Sequence, residues 1–283
     1  MASDIGFVKD ARRLIVYLNE TERYVWRGEF MSLSNDLFLS RDLKRTFAQT
    51  NSLMNKIIQD ILNIEVLINR LEWTRKKASD DEYLKKNWMS FASVDIEHFF
   101  IEIRSIMDYV AEIIVCTSKK RGQLPKKVSK TTSFEELRNW VLESPSNKVR
   151  LGKDISKIVE SANWFSSIRL IRDALIHKGG FALVFMDPKE GILFQVTKGF
   201  KNYVNHDIVM YNEYVAYFDR FAAIYVSYLF LFLERFAKAI FSILQPQHFD
   251  SSIRSGFSDV LVQWMDSFIN LNSAFLKYTF RWQ

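Results

Sequence analysis

Two side chains able to act on a phosphodiester lie five residues apart in the segment IRLIRDALIHKGG, which runs from Ile168 to Gly180. Arg172 keeps its charge throughout the physiological pH range and can hold phosphate oxygens with two donors. His177 titrates near neutrality and can accept or deliver a proton. Asp173 follows the arginine and can orient its guanidinium group. The double glycine stands where a helix that carries these residues should end.

RNA suits this pair because RNA carries its own nucleophile, the 2′-hydroxyl group. Its cleavage needs proton transfer and a stabiliser for the charge on phosphorus, and it needs no metal ion. We expect His177 to transfer the proton and Arg172 to hold the phosphate, which leaves a 2′,3′-cyclic phosphate and a 5′-hydroxyl. The alternatives are a structural ion pair or helix-end contacts for Arg172 and His177, and a solvated helix charge for Asp173.

The segment resembles the signature of the HEPN superfamily, in which an Arg and a polar residue are followed by three to five positions and a His. The stretch SVDIEHFFIEIRSIMDYVA, from Ser93 to Ala111, is similar to the long preceding helix of some prokaryotic members. The resemblance runs from about Tyr83 to Gly180, roughly a third of the chain. It implies an α-helical bundle, usually dimeric, and a metal-independent endoribonuclease.

The resemblance also suggests partners and alternatives. Related proteins often serve as toxins or phage-defence effectors, and an antitoxin, often a small nucleotidyltransferase, is an implied partner. Other members have lost activity and act only as RNA-binding or scaffold proteins, which is the second hypothesis. A third is a helical protein of unrelated function in which the Arg/His pair is a coincidence.

The spacing of the pair bears on the oligomeric state. Five residues correspond to about 500° around a regular helix, so the side chains of Arg172 and His177 diverge by roughly 140°. A helix that ends near His177 would relax this divergence. The alternative, which the family resemblance supports, is a two-fold dimer that places two motif copies around one cleft. We therefore predict a homodimer whose interface involves the motif helix.

Further cations are candidates for contact with RNA phosphates. Arg169 lies one helical turn before Arg172, and Lys178 follows His177. The loop from Thr117 to Ser133 carries six basic residues and no acidic one. Its candidate RNA-binding residues are Lys119, Lys120, Arg121, Lys126 and Lys127. The alternatives are a solvated loop and, for Lys178, an interaction with the helix dipole.

The amino-acid composition limits which other classes of function, cofactor and location are expected. The net charge of +6 and the pI of about 9.2 give mild support for an anionic partner. A single cysteine excludes a disulfide framework, and the four histidines lack metal-ligand spacing, so we expect no metal and no cofactor. The first residues contain acids and no apolar leader, which favours a reducing cytoplasm. Phe221 to Leu233 is uncharged but shorter than the roughly 20 residues of a membrane span, so a buried core helix is expected, with no membrane contact.

The periodicity of the chain predicts an all-α fold, a helical bundle of the HEPN type with added terminal helices and a small β-hairpin between Phe181 and Thr197. We expect a single domain over 1–283, with a HEPN-like core at about 80–180 and flanking helices in 1–78 and 207–277. A short helix should begin after Ser133 with a capping box to Glu136. The longer predicted helices are Ile5–Arg27, Asp42–Ala78, Asp80–Thr117, Asp154–Ile176, Asn212–Leu244 and Asp250–Leu276. On the third of these, His98 is expected to be packed, and Arg104 is expected to pair with Asp108.

Overall fold

The structure is a computed structural model that describes residues 2–18, 23–78, 80–118, 124, 128, 133–177, 182–187, 191–196, 208–249, 256–257 and 259–279. Within these ranges, the side chains of residues 2–3, 174–177, 186–187, 256–257 and 272–279 are not described. The described chain is mostly helical and carries two small sheets, each of three strands. The predicted helical class is therefore confirmed in its coarse form.

The elements follow one another in the order α1, β1, β2, α2 to α8, β3 to β5, α9, β6 and α10. The helices are α1 (Ala2–Leu14), α2 (Glu29–Leu39), α3 (Arg45–Lys77), α4 (Glu82–Thr117), α5 (Phe134–Glu143), α6 (Pro145–Leu151), α7 (Lys153–Ser161), α8 (Phe165–His177), α9 (Phe218–Leu244) and α10 (Asp259–Thr279). The strands are β1 (Ile15–Leu18), β2 (Arg23–Trp26), β3 (Val184–Asp187), β4 (Gly191–Gln195), β5 (Val215–Tyr217) and β6 (Gly256–Phe257).

Helices α3 and α4 form a long antiparallel hairpin. Apolar residues recur on α3 at spacings of three and four, and those that face the core are buried: Ile57, Ile61, Ile64, Ile68 and Leu71. Helix α4 is capped by Asp81, whose carboxylate accepts hydrogen bonds from the backbone N–H groups of Tyr83 and Leu84. Its inner face is also buried, so the hairpin forms one wall of the core.

Helix α9 lies in the centre of the core. All residues from Phe221 to Leu233 are buried or half-buried, as predicted, and they pack against α1, α2, α4, α7 and α10. Its aromatic rings stack and meet edge to face with those of neighbouring elements, for example Phe221 with Phe99 and Phe194. None of the described helices is long and apolar enough to cross a membrane.

The β-hairpin predicted between Phe181 and Thr197 is present. Strands β3 and β4 pair antiparallel, and β5 extends them to a sheet in the order β3-β4-β5. The helix predicted over Asn212–Leu244 therefore starts later, at Phe218, because Val215–Tyr217 pairs with β4.

A second sheet corrects the prediction at the N-terminus. The helix expected over Ile5–Arg27 ends at Leu14, because the β-branched and aromatic runs IVYL and RYVW pair as β1 and β2. Gly256 and Phe257 add a third strand, in the order β1-β2-β6. The last helix, predicted from Asp250, consequently begins at Asp259.

The predicted motif helix, Asp154–Ile176, is divided into α7 and α8 by a turn at residues 162–164. Helical periodicity alone missed this turn because tertiary packing determines it. The ring of Trp164 lies edge to face with Tyr225 and Phe232 and stacks on Tyr228, at centroid distances of 6.1 to 6.3 Å. These contacts with α9 fix the start of α8, and thereby the orientation of the helix that carries Arg172.

Candidate active site

Helix α8 places the predicted motif on one continuous element. Arg172, Asp173 and His177 all belong to α8, which extends to His177. The helix is anchored in the core by Phe165, Ile168 and Ile171, each 2% exposed or less. Arg172 and Asp173 are half-buried. The side chain of His177, together with all of Lys178, lies outside the described residues.

The side chain of Arg172 lines a cleft formed by three helices. The cleft has a volume of about 300 Å³. Helix α8 contributes Arg172, Asp173 and Arg169, and α4 contributes Arg104 and Asp108. The remaining lining residues come from α8, from α5 and from the N-cap of α5: Phe165, Ser133, Glu135, Glu136 and Asn139. The structure therefore brings together three arginines, of which the sequence had grouped only Arg169 and Arg172.

Each of the three arginines of the cleft forms an ion pair with an acidic residue. Arg172 Nη1 lies 3.1 Å from Asp173 Oδ1, the neighbour expected to orient it. Arg169 Nη1 lies 3.4 Å from Glu135 Oε1 of α5. The pairing expected between Arg104 and Asp108 is confirmed, with 3.6 Å between Nε and Oδ2. These pairs hold the planar guanidinium groups in fixed directions around the cavity.

Asp108 connects α4 to α5. Its Oδ1 accepts a hydrogen bond of 2.9 Å from the backbone N–H of Phe134, the first residue of α5. Burial raises the pKa of Asp108, whereas this hydrogen bond and the charges of Arg104 and Arg172 act to lower it. Ser133 is the N-cap residue of α5, as predicted, but its side chain accepts no hydrogen bond from the first turn, where Asp108 of α4 accepts from the N–H of Phe134 instead.

The charge balance of the cleft decides how an anion could enter it. Three arginines face four acidic residues, Asp108, Glu135, Glu136 and Asp173, so the formal charge is −1 when all are ionised. A phosphate would therefore have to replace a carboxylate as the partner of a guanidinium group. The fixed, two-donor geometry of arginine favours this exchange, since carboxylate and phosphate present similar oxygen pairs.

Two further predictions concern residues elsewhere on the chain. The basic loop residues Lys119, Lys120, Arg121, Lys126 and Lys127 lie outside the described residues. His98, expected to be packed between aromatic neighbours, is exposed on α4, because the adjacent Phe99 and Phe100 point into the core and His98 faces outward. His98 is thus separated from the cleft and takes no part in it.

The sequence alone missed Arg104, Glu135 and Asn139 as lining residues. The available signal was weak: Glu135 and Glu136 looked like ordinary acids in the first turn of a helix. Among the described residues, no group of three or more His, Cys, Asp or Glu side chains is placed to hold a metal ion.

Comparisons with protein-family models, with characterised proteins and with solved structures each found no match for this chain. The HEPN resemblance therefore stays a prediction that depends on the motif residues themselves.

Proposed function

We propose that this protein is a metal-independent endoribonuclease of the HEPN type, which cleaves RNA by attack of the 2′-hydroxyl group. One observation carries the proposal. The side chain of Arg172 lines a cleft together with two further arginines, and Arg172 lies on the same helix as His177. Such a cluster can hold a phosphodiester near a group that titrates close to neutrality.

In this proposal each residue has a defined role. Arg172 holds a nonbridging oxygen of the scissile phosphate and stabilises the charge that develops on it. His177 moves a proton to or from the reacting oxygens. Asp173, 3.1 Å from Arg172, orients the guanidinium group before RNA binds and gives way when phosphate binds. Arg169 and Arg104 supply further donors once Glu135 and Asp108 are displaced.

RNA contact outside the cleft is assigned to the predicted basic residues. Because the cleft has a formal charge of −1, it does not attract a polyanion over long range. We propose that Lys178 and the loop residues Lys119, Lys120, Arg121, Lys126 and Lys127 supply that attraction.

The protein acts as a homodimer, in the role of a toxin or phage-defence effector with an antitoxin or nucleotidyltransferase as partner.

The proposal is tested by an oligonucleotide that has one ribonucleotide in an otherwise deoxyribose strand. Cleavage in EDTA should occur only after the ribonucleotide and leave a 2′,3′-cyclic phosphate, identified by mass spectrometry. An all-deoxyribose strand of the same sequence is the matched control. Cutting of the all-deoxyribose strand, or a 5′-phosphate product, would show a different chemistry.

The second candidate is a non-catalytic RNA-binding or scaffold protein. The pairing of every cleft arginine with an acid favours it, because paired arginines can simply stabilise the bundle. Binding is measured separately from cleavage through its salt dependence. Neutralising the five loop cations should reduce the slope of log K against log salt by about 0.7 to 0.9 for each lost phosphate contact. A reduced slope without any cleavage would favour this second candidate.

A further inference from the structure

A second cavity, of about 250 Å³, lies where the C-terminal ends of α4 and α9 meet the turn between α6 and α7. Helix α4 contributes Ile114, α9 contributes Ala239 and Ile243, and the turn contributes residues 149–155. No residue lines both this cavity and the cleft beside Arg172, so the two cavities are separate.

The walls of this cavity, which we call the aliphatic cavity, are formed by saturated side chains. Ile114, Leu151, Ile155 and Ala239 are between 2% and 8% exposed, and Ile243 is half-buried. None of the described lining residues is aromatic, although 15% of the chain is Phe, Trp or Tyr. The cavity therefore offers no ring on which a nucleic-acid base could stack, and its surface suits a saturated carbon chain.

The rim of the aliphatic cavity is charged. Arg150, Lys153 and Asp154 line it with exposed side chains, and two cations against one acid give a formal charge of +1. The N-cap residue of α7 is Gly152, whose φ of 103° favours glycine. Because glycine has no side chain that could accept from the first N–H groups of α7, these donors face the rim without a cap. A helix N-terminus beside two cations favours a small anionic group.

The volume of the aliphatic cavity limits the size of its ligand. An apolar cavity of about 150 Å³ holds one benzene molecule, with its six carbon atoms, so about 250 Å³ accommodates roughly ten heavy atoms. Octanoate consists of eight carbon and two oxygen atoms. A membrane phospholipid offers the same chemistry, a saturated chain with an anionic head, but its two long chains are too large for this cavity.

We propose that the aliphatic cavity binds a medium-chain carboxylate of about eight carbon atoms. The alkyl chain packs between Ile114, Ile155 and Ile243. The carboxylate lies at the rim, where it accepts hydrogen bonds from Arg150, Lys153 and the first N–H groups of α7. The inference does not rest on RNA cleavage, because it uses no residue of the cleft.

Calorimetric titration of the full chain with octanoate tests the inference, and 1-octanol serves as the uncharged ligand of matched length. Octanoate should bind at one site per chain with a Kd on the order of 10 µM to 1 mM, the range that about ten heavy atoms can reach. 1-Octanol should bind at least about fivefold more weakly, because it cannot use the positive rim. Equal affinity for the two ligands, or no binding of octanoate up to about 10 mM, would overturn the inference.

Variants at the rim separate the charge from the chain. The double variant Arg150→Gln and Lys153→Gln should weaken octanoate binding at least about fivefold and leave 1-octanol binding unchanged. Lys157→Gln changes an exposed lysine of the same helix that does not line the cavity, and it should bind octanoate like the wild type. Equal octanoate affinity of the double variant and Lys157→Gln would contradict the inference.

A variant in the wall tests where the chain lies. Ala239→Phe fills the cavity from α9 and should abolish binding of both ligands, with circular dichroism to establish that it is folded. Octanoate binding that survives in folded Ala239→Phe would overturn the inference, and the rim variants decide the matter if Ala239→Phe does not fold. Phosphatidylglycerol vesicles are titrated in parallel. Binding of the vesicles without binding of octanoate would assign the rim to a lipid surface and overturn the inference as well.

Discussion

The cleft beside Arg172 and the outer face of the α3–α4 hairpin differ in how their side chains are partnered. In the cleft, each of three arginines has an acid within 3.1 to 3.6 Å. Asp108 of α4 also accepts a hydrogen bond from the backbone of α5. On the outer face of the hairpin, large apolar side chains lie exposed on α3 and α4: Val66, Trp73, Tyr83, Phe91, Val94 and Ile101. In the cleft, charged groups are paired within the protomer, whereas the outer face of α3 and α4 exposes apolar groups to solvent.

This difference distinguishes groups that can position a ligand from groups that only meet solvent. Paired charges fix the directions of the guanidinium groups, and a ligand must exchange with the acids to bind there. Exposed apolar groups gain stability only when a second surface removes them from water. Changes in the cleft should therefore alter RNA chemistry.

The largest expected effect comes from Arg172→Ala, which removes the proposed phosphate-holding group. Loss of one preorganised donor to a developing anion costs about 3 to 4 kcal/mol, which corresponds to a 10²- to 10³-fold slower cleavage. Arg172→Lys should recover little, because an ammonium lacks the planar two-donor fork. Single-turnover cleavage rates give the measurement, and Arg45→Ala, at an exposed arginine on α3, is the control. A rate for Arg172→Ala within twofold of that for Arg45→Ala would remove Arg172 from the mechanism.

A smaller effect on stability is expected at Asp108, which connects α4 to α5. Asp108→Ala leaves the buried N–H of Phe134 without its acceptor, so the free energy of unfolding should fall by about 1 to 3 kcal/mol. Asp108→Asn keeps an acceptor oxygen and should lose less. Urea unfolding provides the measurement. Glu143→Ala, at an exposed acid on α5, should stay within about 0.5 kcal/mol of wild type. Equal stability of Asp108→Ala and wild type would show that the link to α5 is dispensable.

The smallest predicted effect concerns Asp60, on the hairpin that carries the exposed apolar face. Burial, the charge of Glu102 and a hydrogen bond with Glu102 raise the pKa of Asp60 from 3.8 to about 7, while Lys56 opposes the shift. Between pH 3.8 and about 7, the carboxyl group of Asp60 is ionised in the unfolded state and protonated in the folded state. The free energy of unfolding therefore falls as the pH rises toward 7.

Asp60→Asn removes that ionisation and leaves an amide that can donate to Glu102. The melting temperature of the variant should equal that of wild type near pH 4 and exceed it by about 2 °C or more above pH 7. Asp42→Asn, at an exposed position, is the control. A gain that is the same at pH 4 and pH 8 would contradict the linkage.

The parts of the fold that could be predicted are those that residue spacing and composition within one segment determine. The period of three and four on α3, the uncharged run of α9 and the β-prone runs on either side of residues 187–191 each confine a segment to one structure. Arg172, Asp173 and their common helix could also be predicted, because one short segment contains them.

The predictions that were wrong or incomplete share one physical cause, which is contact between segments that are distant in the sequence. The end of the first predicted helix instead forms two strands, because β1 pairs with β2 and β2 pairs with the distant β6. Contacts of Trp164 with α9 interrupted the motif helix. Asp108 accepts from Phe134, 26 residues away, and Arg169 meets Glu135 of α5. Such pairings form only after the helices pack, so the sequence showed the motif but not the cleft around it.

RNA cleavage by the wild type and by His177→Ala, assayed side by side in EDTA, tests the central claim most directly. A positioned proton-transfer group contributes about 10²- to 10⁴-fold, so the variant should lose most of the activity while its melting temperature stays near that of wild type. Wild-type cleavage with a 2′,3′-cyclic phosphate product, abolished in a folded His177→Ala protein, is the predicted result. RNA that stays intact with the wild type, or that both proteins cut equally fast, would contradict the account.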